Sequence, residues 1–144
     1  MREIREVIFR GKRMDNGEWI EGSLLGIDWC DKPSTYSIAP NTPVSVFYSV
    51  IPETVGQYTG LTDKNGVRIF EGDIVRYGNN TNRADNEEIY EVVFETRGGS
   101  GYFGIRISET ETWQFCLEVP TNLMEVIGNI YDDSELLKGG GDNG

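Results

Sequence analysis

The sequence predicts a mainly β protein: small multi-stranded antiparallel β domains, a barrel-like (SH3-like) C-terminal half and one short C-terminal helix. Three observations carry this prediction. Glycine is frequent, at 18 of 144 residues, and aromatics reach 11%; glycine supplies the positive φ of tight turns and aromatic rings suit a pleated surface. Apolar residues alternate along the chain, and no stretch of ~12 residues holds a helical period. Asn-Gly and Gly-Asp pairs interrupt the apolar runs where corners are needed.

The elements follow in order. Glu6–Arg13 is the first strand, with Val7, Ile8 and Phe9 feeding a basic end. Asp15-Asn16-Gly17 predicts a hairpin, because Asn-Gly accepts the positive φ of a type I′ turn. Glu18–Ile27 is the second strand, and Asp28–Ser34 a loop around Pro33. Tyr36–Ala39 and Val44–Ile51 are strands separated by Pro40-Asn41-Thr42-Pro43, a turn by virtue of its two prolines. Pro52–Tyr58 reads as a hinge with one short helical turn. Leu61–Phe70 is a second hairpin around Asn65-Gly66, and Glu71-Gly72-Asp73 a corner into the strand ending at Tyr77. Gly72 permits that turn, and Asp73 can accept from nearby backbone N–H groups. Residues 78–88 are polar and read as an exposed loop.

Along Ile89–Glu95, alternation places Tyr90, Val92 and Phe94 on a buried face and Glu91 and Glu95 in water. Gly98–Gly101 turns into a strand at Tyr102–Ile107. Trp113–Val119 and Glu125–Tyr131 are further strands, and Asp133 or Ser134 caps a helical turn through Leu137. The resulting organisation is an N-terminal β portion over 1–55, a C-terminal barrel-like portion over 56–138 and a Gly-rich tail over 139–144, the two portions forming separate domains or sharing one core.

Charge restricts function. The chain carries 24 acidic and 13 basic groups and no histidine, a formal −11. Residues 1–52 are near balance, with six basic and seven acidic groups; residues 53–144 hold seven basic and seventeen acidic ones. Without imidazole there is no Ser-His-Asp triad and no His-ligated zinc. No apolar run approaches the ~18 residues that cross a bilayer, and the N-terminus has no apolar core of a signal peptide, so no membrane role and a reducing cytoplasm are expected. Cys30 and Cys116 make no disulfide framework, and neither has a histidine base to activate it as a nucleophile.

Three blocks carry a resemblance. The opening IFRGKRMDNGEWIEGSL, the middle VGQYTGLTDKNGVRIFEGDIV and the end EVIGNIYDDSELL occur in order over residues 8–137. Together they resemble the YopX family, proteins typically encoded by phages and prophages of Gram-positive bacteria. Residues 28–50 and 78–120 match no pattern. The resemblance implies a largely β fold and a phage origin; it implies no catalytic residues and no cofactor.

Two charged groups are candidates for an interaction surface. Arg10, Lys12 and Arg13, with Arg2 and Arg5, form a basic stretch, and alternation gives Arg10 and Lys12 one strand face. They can contact phosphate, or pair with carboxylates such as Glu18 and Glu21; the overall charge favours the second reading. Glu87, Glu88, Glu91 and Glu95, with Asp85, can meet a cation or a basic partner, or form a charged edge strand that discourages aggregation. Asp63-Lys64-Asn65-Gly66 lacks the remaining ligand positions of a calcium loop. Trp19, Trp29, Trp113, Tyr36 and Tyr102 read as core or interface anchors. The expectation is a non-enzymatic accessory protein acting through a protein partner or self-association. The alternative is a nucleic-acid-related role, as a small-barrel binder or an acidic DNA mimic.

Overall fold

Strand pairing organises the chain, as seen in a computed structural model that describes residues 7–27, 35–42, 45–78, 88–115 and 118–139. The expectations for Arg2, Arg5, Asp28–Ser34 (with Trp29 and Cys30), Asp85, Glu87 and Cys116, and for most of the 78–88 loop and the tail, lie outside these residues. The chain divides into two compact units, Met1–Gly60 and Leu61–Gly144.

The first unit holds β1 (Phe9–Lys12), β2 (Trp19–Ile27), β3 (Thr35–Ala39), β4 (Tyr48–Val50) and most of β5 (Gly56–Thr62), in the order β4-β3-β2-β1-β5, with all neighbours antiparallel. A 3₁₀ turn at Pro52–Thr54 is the short helical turn expected there, and residues 56–58 of the expected hinge lie in β5. The hairpin between β1 and β2 forms, but its loop is the four-residue Met14–Gly17 and not a two-residue type I′ turn. Arg13 N–H donates to Glu18 O (2.9 Å) and Gly17 N–H to Arg13 O (2.9 Å), with Gly17 at φ 74°. The two-glycine turn occurs elsewhere, at Gly98 (φ 60°) and Gly99 (φ 88°), where both positions need positive φ.

β4 is shorter than the expected Val44–Ile51. Its partner β3 explains this. Tyr48 faces Ile38, so continuing the ladder would bring Val46 opposite Pro40, which has no N–H to give. β4 also reaches back to β1 through a single bridge, Arg13 to Val50, with Met14 N–H donating to Ser49 O and Ile51 N–H to Lys12 O. The strands therefore curl around Ile38 and Val50, both essentially inaccessible. Gly11 makes the curl possible: a Cβ there would lie 3.2 Å from Val50 Cβ and 3.4 Å from Ile38 Cδ1.

The second unit contains β6 (Arg68–Phe70) and an open antiparallel sheet in the order β10-β9-β8-β7-β11, made of β7 (Asp73–Tyr77), β8 (Glu88–Arg97), β9 (Ser100–Arg106), β10 (Thr112–Gln114) and β11 (Met124–Asn129). The barrel-like expectation is corrected in one respect: the described strands form open sheets and no closed barrel. Ile69, Val75, Val92, Ile105, Phe115, Val119 and Met124 form one buried cluster. The strand expected to reach Val119 ends at Gln114, because the Gln114 carbonyl turns to accept from Glu118 N–H and Val119 N–H. Phe115 and Val119 still enter the core. The helix α1 (Glu135–Gly139) packs against β8. Its first turn is closed by the backbone carbonyls of Asp133 and Ser134, while the Asp133 carboxylate accepts from Asn129 N–H.

Two further corrections concern β8. It is the central strand and not a charged edge: β7 and β9 pair on either side of it. And Phe94 is 46% exposed, while Val92 and Val93 are both buried. A strand covered on both faces buries consecutive residues, which simple alternation cannot foresee. Phe94 lies past the core cluster. Its ring packs edge-on against Phe103, its cross-strand partner, with centroids 5.0 Å apart, and covers Gly101, where any Cβ would collide with it.

Two buried carboxylates hold the turns of this unit. Asp73, 2% exposed, accepts from Phe70 N–H at 2.7 Å, as the Gly-Asp corner predicted. Asp63, 5% exposed, does more. Its Oδ1 accepts from Asn65 and Val67 N–H and its Oδ2 from Val126 N–H, at 2.8–2.9 Å. One side chain thus shapes the β5–β6 turn and clamps it to the outer edge of β11, where Lys64 N–H also donates to Met124 O. Asp63→Ala leaves three donors without their acceptor and is expected to cost ~3 kcal/mol or more, read as a lower urea midpoint at unchanged slope. Asp63→Asn keeps one acceptor oxygen and is expected to lose less.

Candidate functional site

The basic stretch forms a defined surface on the first unit. Strand alternation puts Arg10 and Lys12 on one face of β1, and the antiparallel register places Trp19 opposite Lys12 and Glu21 opposite Arg10. Both cations lie over the indole: Arg10 Cζ is 4.7 Å and Lys12 Nζ 5.5 Å from the ring centroid. Such contacts are worth ~0.5–1 kcal/mol each at exposed sites. Gly11, between them, faces the core.

Arg13 departs from its neighbours. Its guanidinium stacks on Tyr48, 4.0 Å from the ring centroid, and grips Asp15 through two hydrogen bonds, Nε to Oδ1 (2.9 Å) and Nη2 to Oδ2 (2.6 Å). The hydrogen bonds from Arg13 hold the Asp15 carboxyl below its ordinary range, and the same bonds push the Arg13 guanidinium up. The carboxylate partner is thus Asp15, two residues along the chain. The aromatic platform Tyr48 comes from a strand distant in sequence. The chain neighbours of Arg13 and Tyr48 include two exposed apolar residues. Met14 is 63% and Phe47 62% exposed, and Met14 N–H bonds to Ser49 O, two residues from Phe47. Met14, Phe47 and Tyr48 were not among the residues expected to form a surface. Their juxtaposition depends on the long-range bridge between β1 and β4, for which no local signal exists.

The described members of the acidic group, Glu88, Glu91 and Glu95, do not share one site. Glu88 and Glu91 are three apart on a strand and lie on opposite faces. Glu88 accepts from Tyr90 Oη at 2.7 Å; burial first, then this bond, pushes the Tyr90 hydroxyl well up. Glu95 pairs with Arg106 at 3.3 Å. Glu91 shares that face, half-buried, and its carboxyl is raised, chiefly by desolvation; Arg106 works against the shift and Glu71 adds to it. On β7 and β11, Arg76 meets Glu125 at 3.1 Å. Among the described residues no group of three or more His, Cys, Asp or Glu side chains is placed to hold a metal ion. No helix among them is long and apolar enough to cross a membrane.

The Glu91 shift has a definite sign. An acid whose carboxyl is raised in the fold stabilises the folded state below its ordinary value of 4.5 and loses that contribution as pH rises through the raised value. Glu91→Gln removes the titration, so the variant is expected to match the parent near ~pH 4 and to exceed it by roughly 0.5 kcal/mol or less near neutrality, because the group is half in water. Chemical denaturation across pH checks this; a gap that widens on acidification contradicts it.

The fold is similar to that of the crystal structure of protein EF1440 from Enterococcus faecalis, with a TM-score of 0.56 at 24% identity, over 92% of this chain and 99% of that one. No curated protein matches the chain. The model of the YopX family, described as YopX protein, matches residues 8–138. That span takes in the hairpin carrying Arg10, Lys12 and Arg13, the Asp63 turn, the Gly-Asp corner and the terminal helix: the chain belongs to the YopX family.

Proposed function

We propose that this chain is a non-enzymatic accessory protein of phage or prophage origin, acting in the cytoplasm of the bacterial host by protein–protein contact. The observation that carries the reading is the exposed pair Met14 and Phe47 beside the Arg13–Tyr48 stack. Methionine, aromatics and arginine are the residue types enriched at interface cores, and Arg and Tyr are frequent hot spots. Apolar side chains more than half exposed contribute little to the folded monomer. Arg13 and Asp15 neutralise each other within the patch, so a partner need not desolvate an unmatched charge there. The patch lies in the near-neutral first part of the chain, and the acidic excess of residues 53–144 keeps the rest soluble and repels nucleic acid at long range. Self-association through this patch is the simplest form of the contact.

A nucleic-acid role has one observation in its favour, the cations over Trp19. Those cations cover the indole face that a base would need, so no salt-sensitive gel shift of single- or double-stranded DNA is expected.

The double variant Met14→Ser, Phe47→Ser tests the proposal. Its stability is expected to stay within ~0.5 kcal/mol of the parent. Light scattering of the parent is expected to give a mass above 16.2 kDa that the variant loses, or a host protein is captured by the parent and not by the variant. A parent that is monomeric at all concentrations and captures no protein overturns the reading.

A further inference from the structure

The two Asn-Gly pairs of the described chain share a sequence signal and differ in hydrogen bonding. At both, the glycine N–H donates to a carbonyl: Gly17 to Arg13 O at 2.9 Å, Gly66 to Asp63 O at 3.0 Å. They differ at the N–H two residues beyond the asparagine. Glu18 N–H donates to the side-chain oxygen of Asn16 at 2.9 Å. Its counterpart, Val67 N–H, donates instead to Asp63 Oδ1 at 2.9 Å, as does Asn65 N–H at 2.8 Å. Both loop tips are exposed, but the Asn65 loop is fastened to the buried Asp63 carboxylate and the Asn16 loop to no buried group.

We infer that Asn16 is a site of spontaneous deamidation and isoaspartate formation, and that the fold protects Asn65 from the same reaction. Hydroxide removes the Gly17 amide proton, and the nitrogen attacks Asn16 Cγ. The new N–C bond closes a five-membered ring while negative charge collects on Oδ1. Glu18 N–H already points at that oxygen, which is where a donor lowers the barrier. The Cγ–Nδ2 bond then breaks and ammonia leaves with a proton from water. A second water opens the succinimide at either carbonyl, giving aspartate or isoaspartate; nothing is oxidised or reduced. At Asn65 the equivalent donor is engaged elsewhere, and freeing Gly66 disturbs a turn held by Asp63. The product at Asn16 adds a carboxylate next to Asp15, in the loop that carries Met14, so a contact made there changes charge as the protein ages. The inference rests on the loop chemistry and stands independently of that contact.

The test is peptide mapping by mass spectrometry of the full chain aged in mildly alkaline buffer, following the exchange of one NH for O at each site. In the folded protein Asn16 is expected to convert about tenfold faster than Asn65, the effect of one net hydrogen bond. In concentrated urea the two rates are expected to converge, because both pairs then behave as unstructured Asn-Gly. Equal rates in the folded chain, faster loss at Asn65, or a ratio that survives in urea would overturn the inference.

Discussion

A β protein leaves backbone donors stranded wherever a ladder ends, and burying one of them without an acceptor costs as much as several surface contacts supply. In the second unit that constraint is met by two carboxylates taken out of water. Asp63 accepts three N–H groups from the β5–β6 turn and from β11, and Asp73 accepts one at the corner before β7. Buried charge is tolerated because every bond it makes is a charge-assisted one. The consequence reaches beyond the turns. The outer edge of β11 would offer unpaired groups to another chain, and the Asp63 side chain and Lys64 N–H occupy it. A single acidic side chain thereby sets a turn, joins it to a strand distant in sequence and blunts a sheet edge.

The first unit solves a different problem. Its strands are short, and the curl that lets β4 touch β1 leaves a core built on Ile38 and Val50 with only a glycine between them. The opposite face of β1 carries Arg10 and Lys12, and Arg13 follows just past its end. Each lies against an aromatic ring, so the charge rests on quadrupoles and not on open water. The basic stretch therefore behaves less as a free phosphate-seeking arm than as a rigid aromatic–cationic surface. The apolar residues left outside it, Met14 and Phe47, give the surface its character.

Much of this was readable in advance. The hairpins, the Gly-Asp corner, the shared face of Arg10 and Lys12 and the terminal helix each follow from a local rule: φ preference, side-chain acceptors or a period of two. Errors arose where the rule was local and the answer was not. Alternation predicts Phe94 in the core, yet Val93 is buried and Phe94 is not, because β8 is covered on both faces and outruns the core cluster. The edge reading of β8 rests instead on its run of carboxylates, and pairing with β7 and β9 overturns it. Glu87, Glu88, Glu91 and Glu95 were grouped by proximity in sequence, and the pleat separates Glu88 from Glu91 and Glu95. Locally Asp63 reads only as part of an incomplete calcium loop; its role needs Val126, 63 residues away.

The sequence by itself determined the strand-rich class, the corners and the acidic balance, because each depends on residues within a few positions of one another. Which strands became neighbours, which face met the core and which aromatic ring received each cation were settled only when distant segments paired. Those choices are made by hydrogen-bond register and burial, and both are properties of contacts between segments, with no counterpart in the order of residues along any one of them.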